Sequence, residues 1–178
     1  MRVISGQKRG KKLETLKGDA VRPTTDKVKE SVFNIIQFDV VGSSFLDLFA
    51  GSGPIGIEAL SRGARQATFV DASTDSINAV KKNLVSADFS KNAVVVSSDS
   101  LRFLKTTGEK FDIAFLDPPY KSNLLNNALP LMPNVMTKNG IIICEYSVGE
   151  DLPPDFANFQ LCKVYKYGRS LPCRRSNG

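Results

Sequence analysis

The stretch that decides the fold of this chain is FLDLFAGSGPIG, residues 45–56. Its first half is apolar enough to form a buried strand, and glycine follows at positions 51, 53 and 56. This Gly-x-Gly-x-x-Gly spacing between a strand and a helical pattern is typical of nucleotide-cofactor sites, because glycine lets the backbone approach the ligand closely. The stretch therefore predicts the first strand of an α/β protein, a cofactor loop over residues 49–53, which we call the glycine loop, and a helix.

Strand and helix patterns alternate along the rest of the chain. Strands are predicted near residues 44–49, 67–71, 93–97, 111–117 and 140–146. Helices between them are predicted near residues 54–62, 74–86, 99–106 and 122–135. Such alternation implies an α/β fold with a mostly parallel sheet, right-handed crossovers and helices on both faces. Two later strand-like segments, 159–167 and 170–174, predict an added antiparallel hairpin.

The amino-terminal segment has its own pattern. Residues 1–16 predict a short hairpin whose turn lies between Gly6 and Gly10. Thr25 or Asp26 can then cap a helix that reaches about Gln37. The apolar face of this helix consists of Val28, Val32, Ile35 and Ile36. We expect residues 1–178 to form a single domain, in which residues 1–24 are a basic amino-terminal extension and residues 25–178 a Rossmann-like core.

A second motif, Asp117-Pro118-Pro119-Tyr120, follows the apolar residues 113–116. It therefore falls at the carboxyl end of a buried strand, where open α/β sheets bind their ligands. Proline fixes its own φ and favours an extended residue before it, so the carbonyl groups here point in set directions. The Asp117 carboxylate and the Pro118 carbonyl could accept the two hydrogens of an exocyclic amine while Tyr120 stacks on the heterocycle. The motif favours amine alkylation.

Asp71 ends the next predicted strand, where an acidic side chain can accept from both ribose hydroxyls of a nucleotide. The glycine loop and Asp71 leave NAD, FAD and S-adenosylmethionine open as cofactors. The chain has no histidine, which excludes Ser-His-Asp and Cys-His nucleophiles and His-based metal sites. Because S-adenosylmethionine brings its own electrophilic methyl group, the protein need only position an amine. Asp117 to Tyr120 therefore favour S-adenosylmethionine, and we expect no metal.

The motifs also carry a family resemblance. Residues 47–53, the GIEALSRGA segment over 56–64, the Asp-Pro-Pro-Tyr motif and Arg22-Pro23-Thr24 are the parts that match. Together they resemble the RsmD-type bacterial 16S ribosomal RNA guanine-N2 methyltransferases. The resemblance covers nearly the whole chain and implies a Rossmann-like class I S-adenosylmethionine-dependent methyltransferase with a seven-stranded sheet. It also implies guanine-966 of 16S ribosomal RNA as the target.

Candidate site residues follow from the motifs and the resemblance together. The predicted catalytic residues are Asp117, Pro118, Pro119 and Tyr120. The predicted cofactor-binding residues are Asp47, Ala50, Gly51, Ser52, Gly53, Asp71, Ala72, Asp99 and Ser100. Asp47 lies inside the first strand, where a buried carboxylate needs partners, and Asp99 also suits a helix N-cap. Both residues could therefore serve the structure alone.

Positive charge is concentrated at the two ends of the chain. The formal charge is +6 overall, and residues 1–22 and 163–178 each carry a net +5. Basic ends on either side of an amine pocket favour RNA binding, since they can neutralise phosphates. The predicted RNA-binding residues are Lys8, Arg9, Lys11, Lys12, Arg22, Thr24 and Arg169. Solvated basic tails that only aid solubility are the alternative.

Other functions remain open at this point. The Asp-Pro-Pro-Tyr motif also suits adenine-N6 methylation of RNA or DNA, and a non-catalytic RNA-binding ribosome-assembly factor could retain the cofactor fold. We expect 16S ribosomal RNA or the assembling small subunit as the partner, and a monomer. No apolar run reaches the roughly 20 residues that span a bilayer, and no signal peptide is evident, so we expect a cytoplasmic protein with no membrane partner.

Overall fold

A computed structural model describes residues 1–16, 26–119, 122–145, 158–166 and 170–176, with the backbone alone beyond residue 160. The α-helices are α1 (Asp26–Ile35), α2 (Pro54–Ser61), α3 (Thr74–Ala87), α4 (Ser100–Thr106) and α5 (Leu124–Ala128). The strands are β1 (Ser44–Leu48), β2 (Gln66–Asp71), β3 (Ala93–Ser97), β4 (Phe111–Leu116), β5 (Met136–Cys144), β6 (Phe159–Lys166) and β7 (Ser170–Ser176). Within these ranges, every helix is too short or too polar to cross a membrane.

The strands form one sheet in the order β3-β2-β1-β4-β5-β7-β6, with seven strands among the described residues. The first five pair in parallel, and β7 is antiparallel to both β5 and β6. The predicted parallel α/β arrangement and the added hairpin are therefore confirmed. Strand order reverses between β1 and β4, and open α/β sheets bind their ligands at this kind of switch point.

The central strand β1 is buried along its whole length, which is why its sequence is almost continuously apolar. Because side chains alternate along a strand, Phe45 packs on one face of the sheet and Leu46 on the other. The Phe45 face is covered by α1, α2 and α3, whereas the Leu46 face is covered by α4 and α5. Helices on both faces thus fix the position of the strand ends that carry the site.

The predicted helix over residues 122–135 is shorter and divided. Helix α5 ends at Ala128, and a 3₁₀ helix over Leu129–Asn134 replaces its second half. Pro130 and Pro133 fall in that half, and proline cannot donate the backbone hydrogen bond that an α-helix needs. The fifth strand consequently begins at Met136 rather than near residue 140.

The amino-terminal extension is packed against the core, at least over its described residues 1–16. Val3 and Leu13 are 1% and 5% exposed and belong to the same apolar cluster as Phe33 and Phe45. The predicted hairpin is present in an irregular form, with one antiparallel bridge between Arg2 and Lys12. Residues 1–16 are therefore not a solvated tail.

Helix α2 holds the extension through a buried carboxylate. Glu58 has no exposed surface and accepts from the backbone amides of Ile4 (2.8 Å) and Ser5 (2.9 Å). Arg62 also donates to Glu58 through Nε at 2.8 Å, which compensates part of the cost of burying the charge. Ser61 adds a hydroxyl bond to the Ser5 carbonyl at 2.6 Å. The segment over residues 56–64, which marks the family resemblance, thus anchors the extension.

Gly6 permits this close approach, and we predict that Gly6→Ala destabilises the protein. Gly6 has φ +81°, and a Cβ built there would lie 1.9 Å from the Ser61 carbonyl oxygen. Gly10→Ala is a matched control, because Gly10 has φ +85° but open space around it. Urea unfolding should show a loss of about 1–2 kcal/mol for Gly10→Ala from the left-handed backbone alone. For Gly6→Ala we expect a larger loss, about 3 kcal/mol or more. Equal losses would contradict the tight contact with α2.

Candidate active site

Strand register brings the candidate residues to one edge of the sheet. Leu48 of β1 pairs with Val70 of β2 and with Leu116 of β4. The next residue of each strand therefore lies at the same level, and Asp71 and Asp117 flank the glycine loop. The structure thus brings the glycine loop, Asp71 and Asp117 to the same edge of the sheet.

The glycine loop turns sharply away from β1 at Phe49. Phe49 has φ +69°, a left-handed conformation that is uncommon for a bulky residue and that often marks a functional site. The backbone amides of Phe49 and Ala50 both donate to the Val70 carbonyl at 3.0 Å. Gly53 then closes the turn by donating to the Ala50 carbonyl at 2.8 Å. The strain at Phe49 is held in place by these backbone hydrogen bonds.

Asp71 fixes the other side of the loop. Its Oδ2 accepts from the Gly51 amide at 2.9 Å, and its Oδ1 accepts from the Ser73 amide at 2.8 Å. Asp71 is only partly buried, and each carboxylate oxygen can accept a further hydrogen bond. The carboxylate therefore both shapes the loop and retains acceptor capacity toward a nucleotide ribose.

The glycines of the loop serve different purposes. Gly51 has φ +55°, and a Cβ there would meet nothing within 4 Å, so this side of the loop faces open space. A Cβ at Gly53 would lie 3.2 Å from Phe69 and Val80, which are core residues. Gly51 is thus the loop position that a ligand could approach, whereas Gly53 is required by packing and by its φ of +78°.

Asp47 is buried beneath the loop. It is 2% exposed, and its Oδ2 accepts from the amide of Gly56 at 2.9 Å. Burial raises the pKa of Asp47 to about 8, against the opposing hydrogen bond from Gly56, and the nearby charges of Asp117 and Asp71 raise it further. The amide of Gly56, in the first turn of α2, is thus one partner of the buried Asp47 carboxylate.

Asp117 and Pro118 are partly exposed at the end of β4, and Pro119 is exposed. The Pro119 carbonyl accepts from the Ser122 hydroxyl at 2.6 Å, so this carbonyl is engaged within the chain. The role of the Pro118 carbonyl as an acceptor for an amine stays a prediction. Tyr120 lies outside the described residues, and its stacking role stays a prediction.

The remaining cofactor candidates border the same edge. Ala72 is exposed immediately after Asp71, and Ser100 is buried as the first residue of α4. The exposed Asp99 caps α4, accepting from the Arg102 amide at 2.9 Å. The predicted N-cap role of Asp99 is confirmed, and contact of Asp99 or Ser100 with a cofactor stays a prediction. No group of three or more His, Cys, Asp or Glu side chains in the described ranges could hold a metal ion.

The basic extension presents an accessible surface. Arg9, Lys11 and Lys12 are exposed, whereas Lys8 is partly buried. The Nζ atom of Lys8 lies 3.6 Å from Asp88 Oδ2 and 5.8 Å from the centroid of the Phe89 ring. Lys8 is consequently less available to a phosphate than the other three. Arg22, Thr24 and Arg169 of the predicted RNA-binding set lie outside the described residues.

Sequence reasoning missed two buried polar residues, Glu58 and Asn83. Glu58 falls inside the family-like segment, but nothing in that segment indicates that its partner is the amino terminus. Asn83 interrupts the apolar stripe of α3 between Val80 and Ala87. A polar residue at such a position indicates a buried hydrogen bond, and this was the signal in the sequence. Both residues bind the extension.

Comparison with known proteins identifies the family. A family model described as "Conserved hypothetical protein 95" matches residues 1–173. The chain is 42% identical over 173 residues to "Putative rRNA methyltransferase YlbH" of Bacillus subtilis, covering 94% of each. It is 41% identical over 150 residues to "Ribosomal RNA small subunit methyltransferase D" of Haemophilus influenzae, covering 82% of this chain and 78% of that protein. The chain belongs to the RsmD family.

Solved structures agree with membership of the RsmD family. The structure described as "Putative methyltransferase yhhF from Escherichia coli" has a TM-score of 0.89 at 35% identity and covers 99% of this chain and 97% of that one. A second, from Haemophilus influenzae and described as "putative methylase HI0767", has a TM-score of 0.83 at 35% identity and covers 98% and 97%. The predicted class I methyltransferase fold is therefore confirmed.

The raised pKa of Asp47 predicts a pH-dependent effect of Asp47→Asn. Between about pH 4 and pH 8 the unfolded chain releases the Asp47 proton while the folded protein retains it, so wild-type stability falls as the pH rises. The asparagine variant keeps an acceptor for Gly56 but has no proton to release. Its free energy of unfolding should therefore rise relative to wild type across this window, by at most about 1.4 kcal/mol per pH unit. Urea unfolding at several pH values would measure this, and a constant difference would contradict the raised pKa.

Proposed function

We propose that the protein transfers a methyl group from S-adenosylmethionine to the N2 amine of a guanine in 16S ribosomal RNA. The observation that carries this proposal is the position of Asp117 and Pro118 beside the glycine loop, at the switch point of the sheet. Membership of the RsmD family supports it, since the relatives named above include ribosomal RNA small subunit methyltransferase D. The resemblance points to guanine-966 as the nucleotide.

The residues at the sheet edge fit S-adenosylmethionine. Gly51 leaves open space at the loop, and Asp71 retains acceptor capacity for ribose hydroxyls. The partly exposed carboxylates of Asp71 and Asp117 place negative charge beside the loop, which suits a cofactor that carries a sulfonium and an amino group. When bound, this cofactor supplies an electrophilic methyl group. The protein then has to deliver an amine to it in line.

Asp117 and Pro118 can prepare a guanine amine for transfer. The lone pair of the amine is delocalised into the ring, so the nitrogen is a poor nucleophile until it begins to pyramidalise. Acceptors on both hydrogens favour that change, and they stabilise the transition state more than the ground state. As the nitrogen gains the methyl group it must release a proton, which the Asp117 carboxylate can accept. Tyr120 would hold the base by stacking.

The RNA must present the guanine unpaired or flipped out, because an amine within a helix is out of reach. Arg9, Lys11 and Lys12 can bind phosphates on either side of such a nucleotide. Their backbone is fixed by the buried contacts of the extension with α2, so little order has to be gained on binding. The basic carboxyl-terminal segment is the second candidate surface.

The test is methylation of 16S ribosomal RNA or small subunits from a strain that lacks this protein, followed by nucleoside mass analysis. N2-methylguanosine is the expected product. N6-methyladenosine would replace the proposal with the adenine alternative, which the same amine acceptors allow. Failure to bind S-adenosylhomocysteine in calorimetry, with RNA binding retained, would instead indicate a non-catalytic assembly factor.

We expect Asp117→Ala to remove most methyl transfer while cofactor affinity stays within a few-fold of wild type. The carboxylate acts on the amine in the transition state, so its loss lowers the rate of a single turnover by about 100-fold or more. Single-turnover methylation and S-adenosylhomocysteine calorimetry give the two quantities. Asp99→Ala at the same edge is a control that should keep the chemical step. A near-normal rate for Asp117→Ala would refute the proposed role.

The RNA surface is tested by replacing Arg9, Lys11 and Lys12 together with alanine. RNA affinity should fall, and the slope of log affinity against log salt should flatten by about one unit per lost phosphate contact. The matched control replaces Lys105, Lys110 and Lys138, which are exposed near the amino ends of β4 and β5, opposite the site. The control should leave both quantities unchanged. If the two triple variants behave alike, the RNA surface lies elsewhere.

A further inference from the structure

One buried side chain touches both the extension and the glycine loop. Asn83 on α3 is 1% exposed, and its Oδ1 accepts from the Glu14 amide at 2.7 Å. Its Nδ2 donates to the Glu14 carbonyl and to the Ser52 carbonyl, both at 3.0 Å. Both amide hydrogens are therefore in use, one toward each segment. The side chain holds two segments that are distant in sequence in one fixed arrangement.

Each segment carries part of the proposed function close to Asn83. Ser52 lies between Gly51, which borders the open side of the loop, and Gly53, which packs on the core. The hydrogen bond from the Asn83 side-chain amide therefore fixes the orientation of the peptide group that follows Ser52, in the glycine loop. Asn83 thus makes a direct hydrogen bond from α3 to the glycine loop.

On the other side, Glu14 follows the exposed Lys11 and Lys12 by two or three residues, with the buried Leu13 between them. Leu13 packs in the same apolar cluster as Leu84, the neighbour of Asn83 on α3. The backbone between Lys12 and Glu14 has little freedom, because a buried side chain and two hydrogen bonds hold it. The basic residues Lys11 and Lys12 are therefore joined to Asn83 through a short, well-held stretch of backbone.

We propose that Asn83 is a positioning residue that couples the extension to the glycine loop, so that RNA and cofactor each bind more tightly when the other is present. The inference rests on the proposed function for the identity of the two ligands. RNA bound at Lys11 and Lys12 further stabilises the hydrogen bonds between Glu14 and Asn83, and the hydrogen bond from Asn83 to Ser52 carries that stabilisation to the loop. Linkage makes the effect reciprocal, so the same factor must appear in both affinities.

The measurement is the dissociation constant of S-adenosylhomocysteine with and without the RNA or small subunit that accepts the methyl group. Equilibrium dialysis should give a ratio of about 3 to 10 for wild type, a coupling of ordinary size. In Asn83→Ala the ratio should fall close to 1. Asn92→Ala is the matched control, because the Asn92 amide donates to the Arg65 carbonyl at 3.3 Å on an exposed surface. Its ratio should equal that of wild type.

A second measurement needs no variant and so does not depend on whether Asn83→Ala folds. Amide hydrogen exchange of residues 50–53 in the wild-type protein without cofactor should slow when RNA is added. Unchanged exchange, or a wild-type ratio of 1, would overturn the coupling. A wild-type ratio that persists in folded Asn83→Ala would leave Asn83 with a structural role only, which also overturns the proposal. Absence of any S-adenosylhomocysteine binding by wild type would instead refute the proposed function itself.

Discussion

The arrangement of this protein depends on the register of β1 between β2 and β4. Pairing of Leu48 with Val70 and Leu116 brings the carboxyl ends of three strands to one edge of the sheet, where each strand contributes one part of the candidate site. A slip of a single residue would turn Phe45 and Leu46 to the wrong faces, so burial on both faces of the sheet enforces the register. The spacing between the glycine loop, Asp71 and Asp117 is thus a product of core packing.

A second constraint is that three helices each bind the extension through one buried side chain. Helix α1 binds it through Lys29, whose ammonium donates to the Arg2 carbonyl, α2 binds it through Glu58, and α3 binds it through Asn83. Each of these side chains is almost fully buried, so loss of any one leaves polar groups unsatisfied in the core. Three buried side chains therefore hold the described part of the extension, although it has few residues in regular secondary structure.

Much of the fold and of the candidate site could be predicted from the sequence, because the patterns that indicate strands, helices and the glycine loop each lie within a short stretch of residues. Periodicity placed the strands and most of the helices, and the register of a parallel sheet then brought Gly51, Asp71 and Asp117 together. The helix predicted over residues 122–135 was too long, because two prolines in its second half cannot donate the backbone hydrogen bonds of an α-helix. The partners of Glu58 and Asn83 could not be predicted, since these contacts join residues more than fifty positions apart and have no local pattern.

The long separation of those contacts has a consequence for how the chain reaches its native state. Ile4 and Glu58 are 54 positions apart, and Glu14 and Asn83 are 69 apart. Contacts of such high sequence separation form late, because a long loop must first be closed. During synthesis residues 1–16 leave the ribosome before α2 and α3, and they can make these contacts only after both helices have been synthesised. A chain interrupted before α3 therefore exposes the positive charge without the arrangement that would make it selective.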